Sequence, residues 1–205
     1  VIVLDHHQVS SPAPSATALV NPQLGKTESP PNAPFTELCS AGLAFKLAHA
    51  LVKRGRELNL PGFADFDLRP LLDLVALGTI ADIVPLVGEN RLLVSAGLER
   101  LNTTHRPGLI ALKKVAQCAV PIGTYEVGFQ LAPRLNASGR LETAEESLRL
   151  LLARDEAEAT PIAQALDMRN RERQKIERGI VDEVIGAVRA KFNPETDFVI
   201  VEGQL

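Results

Sequence analysis

Three stretches of this sequence gather residue types that do chemistry. The first is Asp5-His6-His7, three potential metal ligands in succession directly after the apolar run Val1-Ile2-Val3-Leu4. Imidazole suits Mn, Fe and Zn and carboxylate suits Mg and Mn, so a mixed Asp/His set points to a hydrolytic divalent-metal centre more than to a structural zinc. The other reading of the triplet is a polar loop start in which the aspartate caps a turn.

The second stretch is Gly78-Thr79-Ile80-Ala81-Asp82-Ile83-Val84-Pro85-Leu86, where one carboxylate stands among apolar neighbours at the end of an expected core helix. An uncompensated polar group in apolar surroundings costs roughly 2 to 7 kcal/mol, and a charge more, so Asp82 needs a reason to be there. Metal ligation supplies the counter-charge. The competing reading is a turn-initiating cap before Pro85, although Thr79 offers similar capping chemistry. The third stretch, Ala132 to Leu141, carries Arg134, Asn136, Ser138, Gly139 and Arg140 just before an acidic helix start. Guanidinium forks grip phosphate bidentately, a glycine admits close backbone approach, and a helix N-terminus adds N–H donors, which together make a phosphate clamp. Equally open is a surface loop whose arginines pair with Glu142, Glu145 or Glu146.

The elements that must position these residues read as α/β with helices predominating. Val1 to Leu4 has the β-branched character of a buried parallel strand, and ligands in open α/β sheets bind beyond the carboxyl ends of such strands, where Asp5 to His7 stand. Residues 8 to 37 are rich in Pro, Ser, Thr and Asn and read as a loop, with one short strand at Ala18 to Val20 before Asn21-Pro22. Apolar spacing predicts core helices over Ser40 to Lys53, through Leu43, Leu47, Ala50 and Leu51, and over Leu68 to Ala81. Shorter helices follow at Glu89 to Leu101, at Pro107 to Ala116 with proline in the first turn, and at Thr143 to Ala153 with acidic Glu145 and Glu146 at its start. From Asp155 to Lys191 a narrow apolar stripe (Ile162, Leu166, Ile176, Ile180, Val184, Val188) predicts one long bridging helix, ended by Pro194. A strand, Phe198 to Val201, is expected after it.

Composition limits the partners. Of 205 residues 45% are hydrophobic and 23% charged, enough for a core, and a net charge of −3 excludes a generally basic nucleic-acid coat, leaving focal basic patches. Cys39 and Cys118 fit neither a disulfide framework nor a zinc ribbon, so a reducing, cytoplasmic setting is expected. No apolar stretch approaches the roughly 20 residues of a membrane span, and no export signal opens the chain. With 4% aromatics and no Trp, candidates for base stacking reduce to Phe35, Phe45, Tyr125 and Phe129, most of them expected in the core.

In order and spacing the three stretches resemble motifs of the DHH phosphoesterases, in their RecJ branch of single-strand-specific exonucleases. Val-Ile-Val-Leu-Asp-His-His resembles the strand and third motif that name the superfamily. Gly-Thr-Ile-Ala-Asp-Ile-Val-Pro-Leu is similar to the fourth motif, and Pro-Arg-Leu-Asn-Ala-Ser-Gly-Arg-Leu to the stretch beyond it. Ser40-Ala-Gly-Leu-Ala-Phe-Lys and Asn170-Arg-Glu-Arg-Gln match in between and after, whereas residues 10 to 34 match poorly. The resemblance implies metal-dependent, 5′ to 3′ hydrolysis of phosphodiester bonds in single-stranded DNA, in DNA repair and recombination. It implies a two-metal centre of Mn²⁺ or Mg²⁺ with His6 and Asp82 as ligands and Asp5 as a direct or supporting one. His7 would face the scissile phosphate, and Arg134, Asn136, Ser138, Gly139 and Arg140 would hold phosphates nearby.

The same resemblance predicts residues 1–153 as the C-terminal part of a DHH domain, 154–193 as a connecting helix and 194–205 as the first strand of a second, substrate-binding domain. The sequence opens at the third motif, so further metal-binding aspartates are expected upstream and the rest of the second domain downstream. The chain by itself is then expected to bind Mn²⁺ weakly and to have little nuclease activity. Its first strand, deprived of its sheet neighbours, is expected to be disordered or to pair with another copy. Rival implications are a small-molecule phosphohydrolase acting on pyrophosphate or short oligonucleotides, and an inactive DHH-like scaffold.

Overall fold

The computed structural model describes residues 1–9, 12–25, 36–141, 144–193 and 195–196, with only the backbone described at 25, 138–141 and 191. The expected strand Phe198 to Val201 and most of the stretch 194–205 lie outside the described residues. Two short strands, β1 (Ile2–Leu4) and β2 (Ala18–Val20), pair in parallel with Ile2 opposite Ala18 and Leu4 opposite Val20. The first strand is therefore neither disordered nor dependent on another copy for pairing, because the segment that returns through Ala18 supplies a ladder. A single turn of 3₁₀ helix, Pro22–Gly25, follows β2.

The remaining described elements are helices. Helix α1 (Ser40–Glu57) starts at Cys39, whose Sγ accepts from the Gly42 N–H and lies 3.4 Å from Thr79 Oγ1. Its buried line is Gly42, Leu43, Val52 and Gly55, while Leu51, expected inward, is 56% exposed. Helix α2 (Leu72–Ala81) follows a 3₁₀ turn at Arg69–Leu71 and is apolar nearly all round, as befits a helix with Val75, Ala76, Leu77, Thr79 and Ile80 all buried. It packs on α1 and, most extensively, on α3 (Gly88–Asn102). That approach depends on Gly97, where a Cβ would stand 2.3 Å from the Leu72 carbonyl oxygen and 2.5 Å from Ala76 Cβ.

Helix α4 (Pro107–Ala116) has the bounds predicted from its sequence. A π-helical stretch, Glu126–Leu131, then runs directly into α5 (Ala132–Leu141). The stretch read as a phosphate clamp, or alternatively as a surface loop, is helical. Residues 132–141 form a helix, so the backbone N–H of Gly139 belongs to a helical turn. Helix α6 (Glu145–Leu152) is followed by the long α7 (Glu156–Lys191), capped by Asp155 Oδ1, which accepts from the Glu158 N–H at 2.9 Å. The first half of α7 buries Ala159, Ala163, Leu166 and Asn170 against α4, α5 and α6. Beyond Arg171 it is mostly exposed, and Ile176, assigned to the apolar stripe, is 53% exposed. The main core is the contact of these helices, through Leu77, Leu101, Leu109, Leu112, Leu131, Leu150 and Leu166. No described helix is long and apolar enough to cross a membrane.

Candidate functional site

Because β1 and β2 run parallel, both chains leave the sheet at the same end, and their next residues meet there. The Asp5 N–H donates to the Val20 carbonyl oxygen (3.1 Å), extending the ladder by one residue and fixing where the acidic side chain departs. Asp5 Oδ1 then engages His7 Nδ1 at 2.8 Å and the His7 backbone N–H at 3.3 Å. From the end of β2, Asn21 Nδ2 donates to the His7 carbonyl oxygen (2.9 Å) and to Asp5 Oδ2 (3.4 Å), while Asn21 Oδ1 accepts from the Gln23 N–H (2.8 Å). The bond from His7 holds the Asp5 carboxyl below the usual carboxylate range, with neighbouring backbone N–H groups adding to the effect.

Asp82 reaches the same place from α2. It caps that helix, its N–H donating to the Gly78 carbonyl oxygen, and the next residue, Ile83, takes a left-handed conformation with φ of 59°. The turn beyond is anchored from below by buried Asn90, whose Nδ2 donates to the carbonyl oxygens of Pro85 (3.0 Å) and Glu37 (2.6 Å). Contrary to the expectation of an enclosing apolar environment, the Asp82 side chain is 37% exposed. Its apolar sequence neighbours do not cover it: Ile83 turns outward at the helix end and is itself 89% exposed.

Asp82 Oδ2 stands 3.3 Å from Nε2 of His6, whose side chain is 15% exposed. The ring centroids of His6 and His7 are 4.2 Å apart. Two imidazole–carboxylate pairs thus adjoin, His6 with Asp82 across elements and His7 with Asp5 within the turn. In donor chemistry His6 and Asp82 fit a divalent cation, an imidazole nitrogen and a carboxylate oxygen converging from separate elements. Yet among the described residues no three His, Cys, Asp or Glu side chains are grouped to hold a metal ion. The residues fit part of a coordination sphere.

The arginine stretch lies on α5. Arg134 Nε donates to Asp167 Oδ1 (2.8 Å) and its Nη1 to the Gln130 carbonyl oxygen (2.7 Å), leaving a side chain 13% exposed that ties α5 to α7. The carboxylate that meets it is thus Asp167, 33 positions further along the chain in α7. Glu146 instead pairs with Arg169 of α7. Asn136 is exposed, and the side chains of Ser138 and Arg140 lie outside the described residues.

Sequence reasoning missed one residue here and misjudged the exposure of two. Asn21 looked like half of a turn-forming Asn-Pro pair; its signal was its place after a strand parallel to the one before Asp5. Tyr125 and Phe129, assigned mostly to the core, are 61% and 70% exposed, with ring centroids 5.1 Å apart. Nothing in their spacing announced that, because the π-helical stretch sets their direction.

No protein-family model matches the chain. The single-stranded-DNA-specific exonuclease RecJ of Bacillus subtilis (strain 168) is 44% identical over 204 residues, which is 98% of this chain and 24% of that protein. The same exonuclease of Escherichia coli (strain K12) is 40% identical over 190 residues, 90% of this chain and 32% of that protein. Among solved structures, RecJ in complex with Mn²⁺ from Thermus thermophilus matches with a TM-score of 0.74 at 36% identity, covering 90% of this chain and 26% of that one. An exonuclease RecJ bound to manganese matches with a TM-score of 0.73 at 36% identity, covering 91% of this chain and 44% of that one. The chain spans about a quarter to a third of the length of these curated relatives. By sequence along nearly its whole length and by fold, it is similar to a segment of the RecJ exonucleases.

Proposed function

We propose that the protein containing this chain is a Mn²⁺- or Mg²⁺-dependent exonuclease that hydrolyses phosphodiester bonds in single-stranded DNA, and that this chain contributes part of its metal site. The observation that carries the reading is the approach of His6 Nε2 to Asp82 Oδ2 at 3.3 Å, next to the Asp5–His7 pair. Residues 1–153 are assigned to the C-terminal part of a DHH phosphoesterase domain, 154–193 to its connecting helix and 194–205 to the start of a substrate-binding domain.

His6 and Asp82 would hold the cation, with Asp5 beside them as a supporting or direct ligand. A bound divalent ion lowers the pKa of water and steadies the oxygens of an in-line displacement. The chain's own residues do the positioning. Asp5 holds the His7 ring through Nδ1, leaving Nε2 free to face a phosphate oxygen from a side chain that is 74% exposed. Asn21 holds both members of that pair, and its burial (8% exposed) keeps them in register with the sheet. Asn136 is the described member of the proposed phosphate-binding set Arg134, Asn136, Ser138, Gly139 and Arg140 that is exposed. Arg134, engaged by Asp167, serves that set by orienting α5.

Titration calorimetry with Mn²⁺ on the full-length protein and its Asp82→Ala variant, alongside hydrolysis of an end-labelled single-stranded oligonucleotide, tests this. Saturable binding that the substitution abolishes, together with loss of hydrolysis, is expected. Binding and hydrolysis indifferent to Asp82 would remove this site from the reaction. The 205-residue chain alone is expected to turn over little or no substrate, and turnover matching the full-length protein would contradict a partial site.

A further inference from the structure

Beside the His6–Asp82 pair lies a cleft of about 610 Å³ that is not accounted for by metal chemistry. One wall is the end of α2 with Ile83; the other is the π-helical stretch with Tyr125 and Phe129; Asn136 of α5 and Arg173 of α7 stand at its border. Three of these residues are apolar or aromatic and left in water: Ile83 is 89%, Phe129 70% and Tyr125 61% exposed. The two rings lie side by side, 5.1 Å between centroids and 31° between planes. π-Helical turns inside helices are rare and frequently mark functional positions. A β-branched residue held at φ of 59° is likewise an outlier that persists where the surroundings impose it.

We propose that this cleft is a nucleobase-stacking subsite, in which Tyr125 and Phe129 receive the bases of the strand whose phosphate is held at the His6–Asp82 pair. The inference rests on the reading of the site as one for single-stranded DNA and adds to it where the bases go. The occupant follows from the lining. Aromatic faces stack on any base regardless of sequence, Asn136 offers an amide to base edges, and Arg173 brings a cation for the backbone, although its Nη1 already pairs with Glu177 at 3.0 Å. An aliphatic protein partner would ask for neither the amide nor the cation. Continuity decides the register, because Ile80, Ala81 and Ile83 line the cleft and flank Asp82 in the same turn. A strand with a phosphate at Asp82 has its adjoining bases over this wall. Ile83 projects where the strand passes from cation to rings, as a wedge against which a base can lie.

The test uses the full-length protein, in EDTA, with a fluorescent oligothymidine and an oligonucleotide of the same backbone whose central residues are abasic. Wild-type protein should bind the base-bearing strand about tenfold or more tightly than the abasic one. Tyr125→Leu and Phe129→Leu should each weaken binding of the base-bearing strand several-fold, leave abasic binding unchanged, and together erase the difference. Photocrosslinking of a 5-iodouracil strand should label Tyr125 or Phe129. Unchanged base dependence in the double variant overturns the proposal, as does equal weakening for both strands. A change in oligomeric mass or melting temperature with base dependence intact also overturns it, and would assign the cleft to protein packing. If wild-type protein binds neither strand in EDTA and cleaves no base-bearing strand once Mn²⁺ is supplied, the exonuclease reading itself has failed, a result distinct from normal binding that ignores the rings.

Discussion

Asp73 and Asp82 stand at opposite ends of α2 in opposite surroundings. Asp73, in the first turn, is 3% exposed and surrounded by donors: Thr104 Oγ1 at 2.8 Å, Arg106 Nε at 3.0 and 3.1 Å, and the Leu74 N–H at 2.7 Å. Asp82, at the last turn, is open to water and meets His6 at 3.3 Å through a turn with a strained isoleucine. One carboxylate has its lone pairs filled by fixed partners and locks α2 to the segment before α4. The other retains capacity to accept a further ligand. A carboxylate in an apolar sequence context is therefore not, by that context, the buried one; enclosure comes from elements distant in the chain.

The contrast breaks most visibly at the buried end. Asp73→Ala leaves the Arg106 guanidinium and the Thr104 hydroxyl without their carboxylate and should cost about 3 to 5 kcal/mol in urea denaturation, the scale for removing one partner of a buried pair. A loss under about 1 kcal/mol would show that water substitutes for Asp73. At the other end Ile83→Gly should stabilise by up to about 1 kcal/mol, since it relieves the left-handed conformation and sacrifices no burial, glycine's greater unfolded freedom taking back part of the gain. If the melting temperature falls instead, Ile83 is packed rather than strained. The smallest effect belongs to Asp82→Ala, within roughly 0.5 kcal/mol of wild-type stability, as expected where the carboxylate lost is open to water. A large loss there would mean that Asp82 is structural, and the contrast between the two ends would collapse.

The pair at the sheet end also has a pH signature. Because its bond to His7 lowers the pKa of Asp5, the ionised carboxylate and its link to His7 persist above the ordinary carboxylate pKa and are lost as pH falls through the depressed folded value. Carboxyl chemical shifts followed from neutral to acid pH should give a lower midpoint for Asp5 than for a free aspartate. His7→Ala should return it toward the ordinary range.

Periodicity and turn chemistry made much of this molecule legible in advance. The helix at Pro107 to Ala116, the long helix after Asp155 and the strand preceding Asp5 follow from apolar spacing, an N-cap and a β-branched run, all local properties. The types of residue at the site were legible for the same reason: Asp5, His6, His7 and Asp82 stand just past the ends of elements that the pattern already marks. Several features were decided only when distant segments met. Residues 132–141 became helical as α5 packed on α7, and Arg134 found Asp167 there, a pairing across 33 positions that no local rule anticipates. Asn21 became the brace of the Asp5–His7 pair only because β2 lies parallel to β1. The exposure of Tyr125 and Phe129, like the openness of Asp82, depends on which surfaces the other helices leave uncovered. Composition and spacing fix what each segment buries against a generic core, whereas partner identity and exposure are properties of the assembled surface, set by contacts that exist only in three dimensions.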